Sequence, residues 1–328
     1  MKSRSIACVA VLLLSMLPSL AGAEPVALRY GVIAASTHLF QSVALYVAQR
    51  KGMLEREELT LDIIPLPGVE HMINELDKGT VDISSTATPY LVQAVLNGSD
   101  TVAVVGGPAN TIQSLVSKPG ITSFDQLRGK TVAVSLPIDV ISIGTRQLLA
   151  KHGLREGDFT AKELIGTPKR SNCLEMGDCA AAPLGQPEDI VFSRKGFHIL
   201  GNSHEVIPAM QFTVVAARRT WAAQHKDALV RFARAMGEAY RFTHNPDNRD
   251  EVVALAASTT GTSSDIAREI YRLYYEPDLG VMPRQAEISI SGFTKIIELL
   301  GDAGALRRPF PPAERFVDLQ FLQAAGMQ

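Results

Sequence analysis

The amino-acid sequence predicts an α/β protein with two lobes, in which two mixed or parallel sheets are flanked by helices and enclose a ligand cleft. Strand and helix patterns alternate through most of the chain, and helix patterns dominate its last part. Two strand patterns, 111–118 and 210–219, predict the crossings between the lobes. We therefore expect 24–110 plus 212–328 to form lobe 1 and 111–211 to form lobe 2. Ligands of open α/β sheets bind beyond the carboxyl ends of the strands, so the cleft is the expected site.

In lobe 1, apolar or alternating segments predict strands, and a helix pattern follows each of the first three. The predicted strands are 26–33, 59–67, 81–86 and 101–107. The predicted helices are 37–52, 69–79 and 89–98. Thr37 is a suitable N-cap, Gly52 and Gly79 are typical helix stops, and Pro89 suits a first helical turn.

Lobe 2 continues the alternation, and the rest of the chain is patterned as helix. The predicted strands are 111–118, 131–135, 161–166 and 197–201, with 210–219 as the return strand. The predicted helices are 123–130, 141–153 and a short one after residue 166. Ser123 and Gln126 are spaced as a capping box. The later helices are predicted at 220–243, 249–258, 263–275, 285–303 and 312–325, with proline and glycine between them.

The N-terminal segment has the layout of a secretory signal peptide. Lys2 and Arg4 form a basic region, 6–20 is mostly apolar, and 21–23 is a small-x-small cleavage pattern. The apolar stretch is shorter than a membrane span requires. We therefore predict that 1–23 is a cleaved signal peptide and that the mature protein is exported to the periplasm.

Composition and motifs exclude several function classes. The formal net charge is −2 and no block of like charge is present, which argues against a nucleic-acid partner. The sequence has no nucleophile elbow, zinc-protease motif or phosphate-binding loop, and its seven histidines are scattered. We therefore expect no catalytic residues, no metal and no cofactor, and we expect a monomer.

Two cysteines, Cys173 and Cys179, remain after removal of the signal peptide, which contains Cys8. In an oxidising compartment, such a closely spaced pair favours a disulfide, with two free thiols as the alternative. A structural zinc site needs four ligands, and a dithiol redox motif has the spacing Cys-x-x-Cys. Neither pattern surrounds this pair, so metal and redox roles are disfavoured.

Several segments together resemble the solute-binding proteins of ABC importers, of the sulfonate, nitrate and taurine type that also includes binders of thiamine-pyrimidine precursors. The segments are LRYGV, VAQRKGMLEREELTLDIIPL, INELDKGTVDISSTATPYLVQA, SLVSKPGITSFDQLRGKTVAV and TRQLLAKHGL, followed by a long helix after FTVVAARRTW. The resemblance covers about 27–304. It implies a two-lobed periplasmic-binding-protein fold of type II, which closes on a small molecule and docks on a membrane permease.

The first candidate binding residues in lobe 1 follow its first strand. They are Ser36, Thr37 and His38. Thr37 suits a helix cap and also a hydroxyl donor to a ligand, and the two roles are compatible. His38 is either a ligand donor or an exposed residue of the first helical turn.

A second group of candidates leads into the helix that begins near Pro89. Ser84, Ser85 and Thr86 form a run of hydroxyl side chains at a strand end, and we expect it to cradle a polar or anionic group. Tyr90 either stacks on a ligand ring or packs in the core.

The candidates in lobe 2 are Ser135, Asp139, Arg170 and Gln186. Ser135 ends a strand, and Asp139 suits a helix cap better than a ligand contact. Arg170 suits bidentate contact with a carboxylate or sulfonate, or else a solvated surface position. Gln186 follows a run of small residues and is a possible hydrogen-bond donor to the ligand.

The predicted function is capture of a small organic anion and its delivery to an ABC transporter permease. A pyrimidine precursor or nitrate is the alternative ligand for the same kind of importer. An enzyme on the same fold is a further alternative, and it is disfavoured by the export signal and by cleft candidates that are mainly hydroxyls and small residues.

Overall fold

The computed structural model describes residues 25–34, 39–276 and 279–327. These residues form two five-stranded mixed sheets with helices packed on them. The predicted signal peptide and the candidates Ser36, Thr37 and His38 lie outside the described residues.

The first sheet has the strand order β2-β1-β3-β10-β4. Its strands are β1 (Val26–Ile33), β2 (Leu59–Leu66), β3 (Ile83–Ala87), β4 (Thr101–Gly106) and β10 (Thr213–Arg218). The strand β1 runs parallel to both of its neighbours, whereas β10 runs antiparallel to β3 and β4. The return strand therefore enters the middle of the first sheet, where its side chains Val214, Ala216 and Ala217 are fully buried.

The second sheet has the order β7-β6-β8-β5-β9. Its strands are β5 (Ser114–Ser117), β6 (Thr131–Val134), β7 (Thr160–Glu163), β8 (Ala181–Leu184) and β9 (His198–Asn202). The crossing strand β5 runs antiparallel to β8 and β9, whereas β6 runs parallel to β7 and β8. The first sheet therefore contains β1–β4, which precede the second sheet in the chain, and β10, which follows it. The two predicted crossings require this arrangement.

Helices connect the strands and cover both sheets. In lobe 1 the helices before the first crossing are α1 (Val43–Arg50), α2 (Met53–Arg56), α3 (Val69–Lys78) and α4 (Thr88–Leu96). Those in lobe 2 are α5 (Val140–Lys151), α6 (Thr167–Glu175) and α7 (Glu188–Arg194). The remaining ones are α8 (Arg219–Gln224), α9 (Lys226–His244), α10 (Arg249–Thr260), α11 (Ser264–Tyr275), α12 (Ile290–Asp302) and α13 (Gln320–Ala325). None of the helices described here is long and apolar enough to cross a bilayer.

Local chemistry confirms several of the predicted helix ends. The capping box of Ser123 and Gln126 is present at the 3₁₀ helix Phe124–Leu127. Gly79 ends α3 with φ +74°, a conformation that favours glycine because it has no Cβ. Pro89 lies in the first turn of α4, where its missing N–H costs nothing.

The predicted helix 220–243 is interrupted. The backbone N–H and the ring Nδ1 of His225 both lie within hydrogen-bond distance of the carbonyl oxygen of Trp221, at 3.0 and 2.9 Å. The two rings also stack at 4.3 Å. The backbone bond is the ordinary helical one, but His225 itself has φ −119° and ψ 33°, outside the helical range. The helix α8 therefore ends at Gln224, and α9 begins at Lys226.

Two further helix predictions start too early or run too long. The predicted helix 285–303 begins only at Ile290, because Ala286 has φ +69° and the Ser289 hydroxyl caps the helix start by accepting from the Gly292 N–H. The predicted helix 312–325 is interrupted where Val317 pairs with Ala103 of β4.

Candidate ligand site between the two lobes

The two lobes meet where helices of lobe 2 begin. Val140 and Ile143 on α5 and Ile190 on α7 belong to the same buried apolar cluster as the core of lobe 1. Charge also acts between the lobes, because the carboxylate of Asp139 adds to the effect of burial in raising the pKa of Tyr90 on α4. We call this region the interlobe site. Its polar members are Tyr90, Asp139, Arg170 and Glu188.

The side chain of Arg170 on α6 is 1% exposed and is the largest fully buried one in the described residues. Its Nε donates to the Pro183 carbonyl at 2.7 Å, Nη1 to the Leu164 carbonyl at 3.3 Å, and Nη2 to the Thr167 hydroxyl at 3.1 Å. A guanidinium carries five N–H groups, so part of its donor capacity remains for another acceptor. Burial excludes the solvated surface position that the sequence left open for Arg170.

The charge of Arg170 is compensated only at a distance. Burial lowers the pKa of its guanidinium, and the negative charges of Asp139 and Glu188 oppose that shift. No carboxylate among the described residues forms an ion pair with Arg170. A buried cation that bonds only neutral oxygens is energetically costly unless another group pairs with it. Arg170 is therefore suited to receive an anionic group.

Asp139 takes the capping role that the sequence favoured. Its Oδ1 accepts from the Ile141 N–H at 3.0 Å, which caps α5, and its Oδ2 accepts from the Ser135 hydroxyl at 2.7 Å. Ser135 is 1% exposed, so its hydroxyl is committed to Asp139 inside the protein. The two residues act as one hydrogen-bonded unit at the start of α5.

Glu188, the first residue of α7, is a member of the site that the sequence analysis missed. Its Oε2 is buried and has no hydrogen-bond partner in the described residues. Burial raises the pKa of this carboxyl most, the charge of Asp189 raises it further, and Arg170 lowers it. The signal that pointed to Glu188 was weak, because acidic residues in a first helical turn are common without any binding role.

The hydroxyl run on β3 does not converge on one point. Successive side chains of a strand point to opposite faces, so Ser84 and Thr86 share one face and Ser85 occupies the other. Ser84 is fully buried and donates to the Gly31 carbonyl at 3.2 Å. Ser85 bonds the hydroxyl of Tyr30, whose pKa burial raises to about 12.

Two hydroxyl groups near the end of β3 are free to form hydrogen bonds with a ligand. Thr86 Oγ1 and Tyr90 Oη are buried and have no hydrogen-bond partner among the residues described. Tyr90 is half-buried overall, and burial is the main cause of its raised pKa. It therefore keeps its proton at neutral pH and can donate a hydrogen bond to a ligand.

Gln186 is 4% exposed, and both ends of its amide have protein partners. Its Oε1 accepts from the Tyr274 hydroxyl at 2.9 Å, and its Nε2 donates to Asp189 Oδ2 at 2.7 Å. Tyr274 belongs to α11 of lobe 1, so this contact joins the lobes. Nothing in the sequence indicated this hydrogen bond.

The predicted disulfide is confirmed. Cys173 and Cys179 are bonded, with their Cα atoms 5.3 Å apart, and are 4% and 0% exposed. The bond joins the last turn of α6 to the residues that enter β8, one helical turn from Arg170. The described part of the chain contains no group of three or more His, Cys, Asp and Glu side chains arranged to hold a metal ion.

Comparison with known proteins identifies the family. A sequence model described as "NMT1/THI5 like" matches residues 39–249, which is more than half of the chain. The chain therefore belongs to the NMT1/THI5-like family. YtlA of Bacillus subtilis (strain 168) is 24% identical over 257 residues, which cover 75% of this chain and 77% of YtlA.

Solved structures share the fold at low sequence identity. The periplasmic nitrate-binding protein NrtA of Synechocystis PCC 6803 superposes with a TM-score of 0.75 at 13% identity, covering 92% of this chain and 88% of NrtA. The alkanesulfonate-binding protein SsuA of Xanthomonas axonopodis pv. citri, bound to MOPS, gives a TM-score of 0.67 at 17% identity, covering 89% of this chain and 98% of SsuA. These likenesses confirm the two-lobed periplasmic-binding-protein fold.

The same fold also occurs in an enzyme. The desulfurization enzyme DSZB superposes with a TM-score of 0.67 at 16% identity, covering 91% of this chain and 98% of DSZB. Fold alone therefore does not separate a binding protein from a catalyst, and the distinction rests on the chemistry of the site.

Proposed function

We propose that this protein is an extracytoplasmic solute-binding protein that captures a small organic anion and delivers it to the permease of an ABC importer. Its family and its structural neighbours support a solute-binding role. The predicted signal peptide supports a periplasmic location, and the expected state is a monomer. The proposed lobes are 24–110 plus 212–328 and 111–211, as the sequence indicates.

Arg170 is the observation that carries the anion assignment. Its guanidinium is buried, it bonds only neutral oxygens of the protein, and it lies near the groups through which the lobes meet. A carboxylate or sulfonate pairs with such a group through short charge-assisted hydrogen bonds. NrtA and SsuA are named for the binding of anions, which supports the same class of ligand here.

The test is a thermal-shift screen followed by calorimetry. Short-chain sulfonates, carboxylates and nitrate are compared with pyrimidines and neutral sugars, since a bound ligand raises the melting temperature as its affinity dictates. We expect the largest shift from an organic anion. The Arg170→Met substitution should weaken that binding by at least about 30-fold, the loss expected when one partner of a buried charge pair is removed.

Lys169→Met is the matched control, because Lys169 is the exposed neighbour of Arg170 on the same helix. It removes the same charge outside the site and should leave affinity within about two-fold, as substitutions of exposed residues usually do. Shifts from neutral sugars alone, or equal affinity of the Arg170→Met and wild-type proteins, would show that the ligand is not an anion held by Arg170.

The unpartnered Glu188 Oε2 favours a second candidate ligand, an amino-substituted pyrimidine precursor. A buried carboxylate oxygen that lacks a partner accepts an N–H bond from such a ring. The negative charges of Asp139 and Glu188 also offset part of the positive charge of Arg170 in the interlobe site, which makes a neutral ligand more acceptable there. If pyrimidines give the largest shift in the screen and Glu188→Gln abolishes it, this second assignment replaces the first. Recovery of the unchanged compound from the complex distinguishes binding from catalysis.

A further inference from the structure

Two helices from different lobes face each other beside the interlobe site. They are α7, which follows Gln186, and α11, which carries Tyr274. The Tyr274 hydroxyl donates to Gln186 Oε1 at 2.9 Å, and at the exposed edge Arg194 pairs with Glu269 at 3.0 Å. The exposed ion pair contributes little because water screens it. The Tyr274–Gln186 hydrogen bond is buried, so water does not screen it. Of the two polar contacts, it is therefore the one that can affect closure of the lobes.

The buried contact is the first step of a chain of hydrogen bonds. Gln186 Nε2 donates to Asp189 Oδ2 at 2.7 Å, and the Ser114 hydroxyl donates to the same oxygen at 2.7 Å. The Ile190 N–H donates to the other oxygen of Asp189 at 2.8 Å. Asp189 therefore holds the Gln186 amide with its carbonyl oxygen directed at Tyr274.

The other partner is also held within its own lobe. The ring of Tyr274 packs edge-to-face on Phe40 with centroids 5.3 Å apart, and its hydroxyl also bonds the side chain of Gln41. Donor and acceptor are therefore each positioned before the lobes meet. A contact between pre-positioned groups loses little conformational freedom when it forms.

We propose that Tyr274 and Gln186 form a latch that stabilises the closed arrangement of the lobes, with Asp189 and Ser114 as positioning residues. Gln186 then serves closure and not ligand contact. Separation of the lobes breaks the Tyr274–Gln186 bond and exposes both groups to water, whereas closure re-forms it. The effect on ligand affinity rests on the proposed function, but the effect on closure does not.

The test measures closure directly. Spin labels are attached through cysteines introduced at the exposed positions Lys130 and Asp247, one in each lobe, and their distance distribution is recorded without ligand. The native cysteines are bonded to each other and do not react. Tyr274→Phe should lower the ratio of closed to open molecules about two- to ten-fold, the value of one net hydrogen bond.

Tyr271→Phe is the matched control, because the Tyr271 hydroxyl donates to the Thr243 carbonyl at 2.9 Å within lobe 1. It removes a comparable hydrogen bond from the same helix and should leave the distance distribution unchanged. An identical distribution for Tyr274→Phe and wild type would overturn the latch, and so would a wild-type protein that is entirely open.

A double-mutant cycle separates a latch from a ligand contact. Gln186→Met should reproduce the Tyr274→Phe distribution, and the double variant should show no further change, because both substitutions remove one bond. The affinity for the best ligand of the screen should fall by the same factor in all three variants. Additive losses of affinity with unchanged closure would instead make Gln186 a ligand contact. If the screen yields no ligand, the proposed function fails, while the closure measurement still decides the latch.

Discussion

The Cys173–Cys179 disulfide contributes a calculable part of the stability. The double substitution Cys173→Ala/Cys179→Ala opens a loop whose ends lie six positions apart. For a closed loop of about seven residues, the chain-entropy relation predicts a loss of about 2.4 kcal/mol at 25 °C. Both cysteines are buried, at 4% and 0% exposure, so the space left by the sulfur atoms adds up to about 1 kcal/mol. We therefore expect a total loss of about 2.4–3.4 kcal/mol.

Urea denaturation of the mature protein measures this loss, and a thermal melt gives a second value. For a domain of this size each kcal/mol lowers the melting temperature by about 2–4 °C, so the expected shift is about 5–14 °C. Wild-type protein treated with a dithiol reductant should approach the variant, and the variant should not respond to the reductant. Mass spectrometry of the unreduced protein should find no free thiol.

Met176→Ala serves as the control, because Met176 lies between the two cysteines and is 71% exposed. It alters the same loop without touching the bond and should change stability by no more than about 0.5 kcal/mol. A double variant as stable as wild type, or a wild-type melt that ignores the reductant, would refute the assignment of this stability to the disulfide.

Two further predictions concern carboxylates of the interlobe site. The folded-state pKa of Glu188 is raised above its ordinary value of 4.5, so the stability it contributes is present below pH 4.5 and is lost as pH rises through the folded pKa. The Glu188→Gln variant should therefore unfold at a higher urea concentration than wild type at pH 8 but not at pH 4. A variant less stable than wild type at pH 8 would show that the folded protein favours the charged carboxylate. Asp139→Ala removes the cap of α5 and the acceptor of Ser135 and should cost about 1–2 kcal/mol in urea, whereas an unchanged midpoint would mean that water replaces the cap.

Local patterns determined the order of the elements because each rests on neighbours in sequence. Alternating apolar residues, a capping box and helix-stopping glycines act over a few positions, and β1, α3 and the 3₁₀ helix at Phe124–Leu127 formed as predicted. Errors arose where distant contacts overrode local preference. The helix predicted over 312–325 breaks because Val317 pairs with β4, far away in sequence.

The sequence predicted which loops and strand ends border the site, but it did not predict which side chains contact one another there. The position of Arg170 after a strand indicated a cleft residue, yet sequence could not separate burial from exposure. Only the packing of α6 against β8 places its guanidinium against the Pro183 carbonyl. Glu188 and Tyr274 carried no distinctive signal, because a first-turn acid and a helical aromatic residue have ordinary structural roles in most proteins.

By itself, the sequence predicted the fold class and the two crossings from periodicity and strand order. It favoured a disulfide between Cys173 and Cys179 over two free thiols, because the two cysteines are closely spaced and the predicted compartment is oxidising. The tertiary structure alone decided that Arg170 is a buried cation bonded only to neutral oxygens, and that Gln186 meets Tyr274 of the other lobe. Hydrogen bonds across a cleft depend on how two lobes approach each other, and that approach is set by packing over the whole interface. No local pattern of residues records it.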